Sequence, residues 1–326
     1  LFKKHKPDAV MHFSAYSLVG ESMTDPYKYY NNNVSGTLSL LKAMIDNDCM
    51  KFIFSSSAAI FGNPEYIPID ENHPKNPINP YGKSKLMVEE ILKDFESAYG
   101  LKYVSFRYFN AAGHDPDGEL SERHDPETHL LPIIMQAANK QRESVSIFGN
   151  DYDTKDGACV RDYIHVNDLA NAHLKGLDYL NQNELSSAEF NLGNGNGFSV
   201  KEVIQQVKEI TGKDFKVLEE GRRNGDPSTL IASDKKAKKE LNLSPDYVSL
   251  ESIIKTLDWG YCCKLYSGKI TLIVSFNDWA YFIMNYIINK ALYKFTIFRK
   301  MAKCLKNRIN FKLFRARLTS YSKAII

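Results

Sequence analysis

The 326-residue sequence lacks the cysteine patterns that identify disulfide-rich or zinc-binding proteins. Its five cysteines stand at positions 49, 159, 262, 263 and 304, which fits neither a disulfide framework nor a C-x-x-C metal site. The start of the sequence also lacks the pattern of a secretory signal peptide. Reduced thiols without a leader are typical of a cytoplasmic protein, and that is the location we predict.

Acidic residues are nearly missing from the end of the chain. Residues 261–326 contain 13 lysines and arginines and one acidic residue, Asp278, whereas the rest of the chain holds 29 basic and 38 acidic residues. The net charge of +3 therefore averages an acidic body and a basic tail, and the boundary falls near residue 260.

The tail also lacks an uninterrupted apolar run. Residues 270–288 are mostly apolar, but Asn277, Asp278 and Asn285 interrupt them, which argues against a membrane helix. The basic stretch at 290–323 is compatible with a membrane surface or with nucleic acid. We favour a segment unrelated to the body of the protein, either an appendage or sequence read out of frame, although the sequence does not decide among these. We expect no nucleic-acid partner, and membrane contact of the tail is the less favoured alternative.

A glycine-rich fingerprint for dinucleotide phosphates, G-x-G-x-x-G, is missing ahead of residue 8, where we predict a strand. One later glycine cluster, Gly193 to Gly197, has its third glycine misplaced and is followed by Phe198 where a small residue is required. We interpret this cluster as a turn before a helix at 200–210, with Ser199 as the N-cap.

The stretch at 51–90 carries the strongest positive signal. Apolar β-formers at 51–54 predict a buried strand that ends in three serines, the last of which is Ser57. After a proline-rich loop, Tyr81 and Lys85 stand four residues apart on one face of a predicted helix. A positive charge beside a phenol favours the phenolate, so we predict that Lys85 lowers the pKa of Tyr81. Ser57, Tyr81 and Lys85 then form a proton-transfer unit for oxidising an alcohol to a ketone.

The residues Phe52 to Ala58 and Tyr81 to Lys85 resemble the extended short-chain dehydrogenase/reductase family, and within it the UDP-glucose 4-epimerases. The resemblance extends from about residue 10 to about residue 258. It implies an α/β fold with a doubly wound, Rossmann-like parallel sheet and a smaller substrate-binding portion. Since the family carries its glycine fingerprint at the N-terminus, the first βαβ part of the sheet is expected to be missing from this sequence.

The resemblance also implies a division of the chain into parts. An NAD-binding part comprises residues 1–110 with 158–180, and a UDP-sugar-binding part comprises 111–157 with 181–260. The basic tail at 261–326 has no counterpart in the family, and its structure stays open.

NAD is the cofactor that the resemblance implies. Small residues at the end of a strand permit close approach of such a cofactor. Ser17 stands where the family often has a lysine, so one charged contact differs. The implied cofactor-binding residues are Phe13, Ser14, Ala15, Tyr16, Ser17, Asn32, Ser57, Tyr81, Lys85 and Phe109.

A UDP-sugar is the substrate that the resemblance implies, with two arginines for the two phosphate charges and an aromatic face for uracil. Leu230 occupies the position that gates the sugar pocket in the family. Tyrosine there restricts the pocket to plain hexoses and a smaller residue admits N-acetyl sugars, so leucine leaves the sugar range open. The implied substrate-binding residues are Ser57, Tyr81, Asn110, His129, Leu130, Phe148, Arg161, Arg223, Asp226 and Leu230.

The implied reaction interconverts UDP-galactose and UDP-glucose through a transient 4-keto sugar, with Tyr81, Lys85 and Ser57 as catalytic residues. A 4,6-dehydratase would need an Asp-Glu pair after the strand, where this chain has Ala58 and Ala59. Two alternatives stay open: a 4-epimerase that also accepts UDP-N-acetylhexosamines, and an inactive nucleotide-sugar binder or fragment. The family often forms homodimers through two helices that include the Tyr81 helix, so a homodimer is expected.

Three histidines, at positions 114, 124 and 129, lie near several acidic residues and suggest a metal site. No pair of them has helical ligand spacing, however, and no cysteine joins them. We therefore predict no metal.

Overall fold

The computed structural model describes residues 1–116, 127–182, 187–223 and 225–262. Ten strands lie in these ranges, and aromatic and β-branched residues fill the centre of the longest ones. They are β1 (Val10–His12), β2 (Lys51–Ser57), β3 (Lys102–Tyr108), β4 (Asn110–Ala112), β5 (Ser144–Phe148), β6 (Val160–His165), β7 (Ala188–Leu192), β8 (Gly197–Ser199), β9 (Lys216–Glu220) and β10 (Thr229–Leu230).

Ten α-helices lie in the same ranges, with a π-helical segment at Tyr30–Ser35 and a 3₁₀ turn at Ala58–Ile60. Ser199 begins one of them with a reciprocal capping box to Glu202, which confirms the predicted N-cap. The helices are α1 (Phe2–His5), α2 (Val19–Thr24), α3 (Pro26–Tyr29), α4 (Gly36–Ile45), α5 (Pro80–Tyr99), α6 (Leu130–Ala138), α7 (Val166–Leu180), α8 (Val200–Thr211), α9 (Lys235–Glu240) and α10 (Leu250–Cys262).

The principal sheet is parallel throughout and has the strand order β1-β2-β3-β7. Side chains of each strand alternate between the two faces of the sheet. Phe52 and Phe54 of β2 pack with α4 and α5 on one face, whereas Ile53 packs with α7 and α9 on the other. Helices on both faces of a parallel sheet make a doubly wound, Rossmann-like α/β fold, which confirms the predicted fold class.

A second set of strands carries four of the residues predicted to bind the sugar nucleotide, namely Asn110, Phe148, Arg161 and Leu230. Strand β6 pairs in parallel with β4 and β10 and antiparallel with β8, and β5 pairs in parallel with β9. Helices α6, α8 and α10 pack on these strands around a core that includes Ile134, Val203 and Ile254. The predicted boundaries between the NAD-binding and UDP-sugar-binding parts stay predictions.

The carboxyl ends of the parallel strands meet at one edge of the principal sheet. Ser57 at the end of β2 lies in register beside Tyr108 at the end of β3. Strand β1 ends at His12, just before the predicted cofactor segment at 13–17. Because ligands of open parallel sheets bind outside this edge, the fold places the predicted cofactor residues where a ligand is expected.

Leu38, Leu41 and Ile45 mark the apolar face of a helix that the sequence predicts at 34–45, and the structure differs from this prediction in the start and the buried face of the helix. Its apolar spacing places Leu38 and Leu41 on the buried face, whereas the structure has the π-helical segment followed by α4. Leu41 is fully buried, but Leu38 is 39% exposed and Thr37 is buried. A π-helix adds residues to a turn and so shifts the buried face, which a regular periodicity does not anticipate.

Most of the predicted basic tail, including the apolar segment at 270–288, lies outside the described residues. Within the described ranges, no helix combines the length and the apolar character needed to cross a bilayer. What we predict of the tail therefore stays a prediction.

Candidate active site

Ser57 is the last residue of β2 and the N-cap of the 3₁₀ turn that follows. Its Oγ accepts a hydrogen bond from the Ala59 backbone amide at 3.2 Å. The same hydroxyl acts to lower the pKa of the Tyr81 phenol. The end of the strand and the tight turn together hold this hydroxyl at the carboxyl edge of the sheet.

Tyr81 lies in the first turn of α5, because Asn79 and Pro80 start the helix immediately before it. Asn79 is the N-cap, and its Oδ1 accepts a hydrogen bond from the Gly82 amide at 2.8 Å. Pro80 occupies the first helical position, where its missing N–H costs nothing. A Cβ at Gly82 would lie 2.4 Å from the Ala59 carbonyl oxygen. The helix therefore starts against the turn after β2, which brings the phenol to Ser57.

Lys85 lies one helical turn after Tyr81 and is 4% exposed. Its Nζ donates a hydrogen bond to the Ser55 carbonyl oxygen at 2.7 Å and lies 5.9 Å from the centre of the Tyr81 ring. Burial lowers the pKa of Lys85 to about 7, against the opposing influence of the Glu89 carboxylate. The ammonium is therefore close to its midpoint of titration at neutral pH.

The structure corrects the predicted influence of Lys85 on Tyr81. Burial raises the pKa of Tyr81, and the hydrogen bond with Ser57 acts to lower it. Lys85 directs its ammonium to the Ser55 carbonyl oxygen instead of the phenol. The prediction that Lys85 lowers the pKa of Tyr81 is therefore wrong for this structure, because loss of solvent disfavours the charged forms of both groups.

Asn33 joins the predicted cofactor segment to α5, and the sequence did not single it out. Its side-chain amide exchanges hydrogen bonds of 2.9 and 3.0 Å with the backbone of Tyr16 and donates to Ser84 Oγ at 3.1 Å. Asn32, the predicted cofactor residue, donates its own side-chain hydrogen bond to Asn33 Oδ1 at 3.0 Å. The buried Asn33 thus aligns Tyr16 with the helix that carries Tyr81.

Phe13 lies on the α7 side of the sheet edge. Its ring centre is 4.9 Å from that of His173, whose Nε2 shares a 2.6 Å hydrogen bond with the Tyr108 hydroxyl. Burial lowers the pKa of His173 to about 4. Burial and a nearby lysine charge lower the pKa of His12 to about 3. Both histidines are therefore neutral at pH 7 and do not compete with the phenol as proton carriers.

Phe109 and Leu230, which the sequence places near the nicotinamide and at the sugar pocket, meet in one apolar cluster. Phe109 belongs to the cluster together with Ala58, and Leu230 packs against it. Since Ala58 follows Ser57 directly, three distant parts of the sequence come together beside Ser57.

Asn110 and Arg161 lie on the neighbouring strands β4 and β6. Asn110 Nδ2 donates a hydrogen bond to the Asp162 carbonyl oxygen at 3.0 Å. Arg161 Nη2 lies 3.8 Å from Asp226 Oδ1, and Arg161 pairs in register with Leu230 of β10. Four predicted substrate residues therefore meet around β6.

Phe148 ends β5, and the guanidinium of Arg223 lies 3.6 Å from the centre of its ring. Arg223 and Phe148, which the sequence analysis treats as separate contacts, are therefore joined by a cation–π contact in the structure. His129 precedes α6 and its Nδ1 lies 3.2 Å from Glu127 Oε1, and Leu130 is the first residue of α6.

The described part of the chain contains no group of three or more side chains that could hold a metal ion. His124, one of the three histidines considered from the sequence, lies outside the described residues. The thiols of Cys49 and Cys159 are free and buried.

A hydroxyl, a phenol and a buried ammonium at the carboxyl edge of a doubly wound parallel sheet define a class of enzyme. The side chains are those of Ser57, Tyr81 and Lys85, and the class is the extended short-chain dehydrogenase/reductases. Comparison with known proteins then gives the family. Residues 1–257 match the profile described as GDP-mannose 4,6 dehydratase, and the chain belongs to that family.

Within this family, the chain is similar to several individual UDP-glucose 4-epimerases. The chain is 52% identical over 255 residues to the UDP-glucose 4-epimerase of Halalkalibacterium halodurans, which covers 78% of this chain and 76% of the relative. It is 47% identical to the UDP-glucose 4-epimerase from Brucella ovis in complex with NAD, with a TM-score of 0.76 over 79% of this chain and 80% of that one. The epimerase from Bifidobacterium longum in complex with NAD⁺ and UDP is 37% identical, with a TM-score of 0.75 over 80% of this chain and 78% of that one. These similarities confirm the resemblance predicted from the sequence.

Proposed function

We propose that the chain is a UDP-glucose 4-epimerase, which interconverts UDP-galactose and UDP-glucose with NAD as its cofactor. The observation that carries the proposal is the placement of Ser57 at the end of β2 and of Tyr81 and the buried Lys85 on α5, in a chain 52% identical to a curated UDP-glucose 4-epimerase. Ala58 and Ala59 favour this reaction over the dehydration for which the family is described, because neither residue has an acid or a base to eliminate water.

The residues at the sheet edge fit the nicotinamide half of NAD. Lys85 offers an ammonium for the ribose hydroxyls, and Phe109 offers an apolar surface in the cluster beside Ser57. Phe13 and Tyr16 supply the segment after β1, and the amide of Asn33 holds Tyr16 in place. When bound, NAD accepts a hydride from C4 of the sugar and returns it, and its positive ring favours the phenolate of a neighbouring tyrosine.

Tyr81 carries the proton in both directions. Its phenolic oxygen takes the proton of the C4 hydroxyl as the 4-keto sugar forms, and it returns the proton when the sugar presents its other face. Ser57 donates a hydrogen bond to the same substrate oxygen and keeps it within reach. Because burial raises the pKa of Tyr81, the phenol keeps its proton until positive charge accumulates beside it.

The nucleotide half anchors the sugar while the 4-keto intermediate turns. Arg161 and Arg223 neutralise the two phosphate charges, and Asn110 donates to the diphosphate. Asp226 accepts a hydrogen bond from a ribose hydroxyl, and Phe148 stacks on uracil. These contacts leave the hexose free to rotate because they hold the part of the substrate that does not react.

The sugar range depends on Leu230, which packs against the cluster that contains Ala58 and Phe109. Leucine is smaller than tyrosine, so UDP-N-acetylgalactosamine is the second substrate to assay. The alternative from another class is an inactive nucleotide-sugar binder, which would bind UDP without converting either sugar.

The test compares Tyr81→Phe with Tyr99→Phe, which removes the same hydroxyl from the exposed end of the same helix. Purified wild-type protein is expected to release NAD on denaturation and to convert UDP-galactose to UDP-glucose. Tyr81→Phe should lower kcat at least about 100-fold, because one general acid–base group contributes that much, and should leave UDP affinity unchanged. Tyr99→Phe should match the wild type. Undiminished turnover in Tyr81→Phe would contradict the mechanism, and UDP binding without wild-type turnover would support the binder.

We also propose that the chain forms a homodimer through the outer face of α5. An apolar groove of about 550 Å³ lies there and includes Val34, Leu86, Met87 and Ile91. Met87 is 48% exposed, which is unfavourable for an apolar side chain in this setting unless another surface covers it. A self-complementary helical face of this kind suits a two-fold interface.

A further inference from the structure

The glycine-rich turn between β7 and β8 binds an anion that the chain itself supplies. The backbone amides of Asn194 and Gly195 donate to the two carboxylate oxygens of Asp162 at 2.9 and 3.0 Å. Gly195 has a φ of +75°, and a Cβ at Gly193 would lie 2.4 Å from Asp162 Oδ2. Consecutive amides at a glycine-rich turn form the kind of cradle that holds phosphates elsewhere. Here the Asp162 carboxylate fills the cradle.

Asp162 joins this turn to two further segments. The Ala232 amide, two residues after β10, donates to Asp162 Oδ2 at 3.0 Å. The carbonyl oxygen of Asp162 accepts the hydrogen bond from Asn110 Nδ2 of β4. Asp162 has no exposed surface, so one buried residue connects β4, β6, the glycine turn and the segment after β10.

Three predicted substrate residues lie next to these connections. Arg161 precedes Asp162 in β6, Asn110 donates to its backbone, and Leu230 pairs with Arg161. Strand β10 has two residues, and so short a pairing has little stability of its own. The bond from the Ala232 amide fixes β10, and with it Leu230, against β6.

We infer that Asp162 is a positioning residue for the sugar-nucleotide half of the site. Its carboxylate fixes Leu230 beside Arg161 through the Ala232 amide, and its backbone carbonyl holds Asn110. This inference rests on the proposed function, because those three residues are assigned to the UDP-sugar. Prearranged anchors bind more tightly because less ordering is left to the moment of binding.

A purely stabilising role explains the same residue less well. The donors to the carboxylate are backbone amides of the cradle and of Ala232 rather than a lysine or an arginine. Burial raises the pKa of Asp162 to about 6, so keeping this carboxylate ionised at neutral pH costs folding free energy. A carboxylate whose ionised form lowers the stability of the folded protein is consistent with a role in the site.

The experiment uses Asp162→Asn and a matched control, Asp168→Asn. Asp168 is 1% exposed, and its carboxylate accepts the amides of Asp246 and Tyr247, which lie outside the substrate residues named above. UDP is the probe, its dissociation constant is measured by calorimetry, and thermal unfolding is recorded for every variant. Asp162→Asn should weaken UDP binding about 10-fold or more, because the N–H donors of the new side-chain amide would face the backbone N–H donors of the cradle. Asp168→Asn should lower stability and leave UDP affinity as in the wild type.

A second variant, Gly193→Ala, tests the inference even if Asp162→Asn does not fold. The added methyl pushes on the Asp162 carboxylate without removing its charge, and it should also weaken UDP binding and raise the KM for UDP-galactose more than it lowers kcat. Wild-type UDP affinity in a folded Asp162→Asn or Gly193→Ala protein overturns the inference. Equal losses in Asp162→Asn and Asp168→Asn overturn it as well. If the wild type binds UDP but does not convert UDP-galactose, the proposed function is contradicted. The role of Asp162 is still tested in that case, because the UDP affinities of the variants and the wild type can be compared.

Discussion

Four titratable side chains near the sheet edge are withdrawn from water, and the pKa of each shifts in the direction that favours its neutral form. Burial raises the pKa of Tyr81 and lowers that of Lys85 to about 7. It lowers the pKa of His12 to about 3 and that of His173 to about 4. Because an unpaired charge is costly in a site withdrawn from water, burial favours the neutral form of each of these side chains.

The titration of Lys85 predicts a specific dependence of stability on pH. The folded-state pKa of Lys85 is about 7, whereas an unfolded lysine titrates near 10.4, so the unfolded chain binds one more proton between these values. The free energy of unfolding should therefore rise with pH in this window, by up to about 1.4 kcal/mol per pH unit from this residue. Lys85→Met should remove that part of the slope between pH 7 and 9 in urea titrations of NAD-free protein.

The control for this experiment is Lys213→Met, because Lys213 is an exposed lysine outside the site. It should reproduce the wild-type slope. A Lys85→Met protein whose stability rises with pH as steeply as that of the wild type would show that Lys85 titrates normally.

At the scale of a single element, α5 combines three roles along its length. Its first two turns carry Tyr81 and Lys85, and its outer face forms the apolar groove. Its middle is attached to the sheet by Glu89, whose carboxylate accepts from Arg107 Nη2 at 2.8 Å and from Ser56 Oγ at 2.6 Å. The attachment at Glu89 sets how far the first turn of the helix reaches over the carboxyl edge of the sheet.

The buried ion pair predicts a large loss of stability when it is broken from one side. The side chains of Glu89 and Arg107 are 0% and 1% exposed, so Glu89→Gln leaves a buried guanidinium without its counter-charge. We expect the free energy of unfolding to fall by about 3–5 kcal/mol in urea titrations.

Glu90→Gln is the matched control, since Glu90 is the next residue of α5 and pairs with Lys93 at the surface. It should cost at most about 1 kcal/mol, because exposed ion pairs contribute little. Similar losses in the two variants would mean that the buried pair does not hold the helix on the sheet.

At the scale of the whole molecule, the site is assembled where separate sheets end near each other. The principal sheet contributes Ser57, and α5 contributes the phenol and the ammonium. The set of strands around β6 contributes Arg161 and Asn110, and the β5–β9 pair contributes Phe148. The two proposed halves of the site therefore depend on a fixed relation between the sheets.

The proposed dimer predicts a change in assembly from one surface substitution. Met87→Lys places a charge in the apolar groove and should convert a dimer to a monomer in sedimentation velocity. Met23→Lys is the control, because Met23 is 52% exposed on α2 and lies outside the groove, and it should sediment as the wild type does. A wild type that is monomeric at micromolar concentration, or equal behaviour of the two variants, would contradict an interface on this face.

The sequence alone determined the features that depend on neighbours in the chain. The end of β2 in serines, the one-turn spacing of Tyr81 and Lys85, and the Ser199 cap all follow from residues a few positions apart. Periodicity, capping and strand chemistry act over such distances, and so these local elements could be predicted. The family and the fold class came from the resemblance of the motifs at 52–58 and 81–85.

Tertiary structure alone decided the features that depend on burial and on distant contacts. The direction of the Tyr81 pKa reverses because burial outweighs a lysine that is close in sequence but turned toward a carbonyl. Asn33 meets Ser84, and Asp162 meets the amide of Ala232 seventy residues later. Charge state and positioning are set by what surrounds a side chain in space, and a linear pattern does not carry that information.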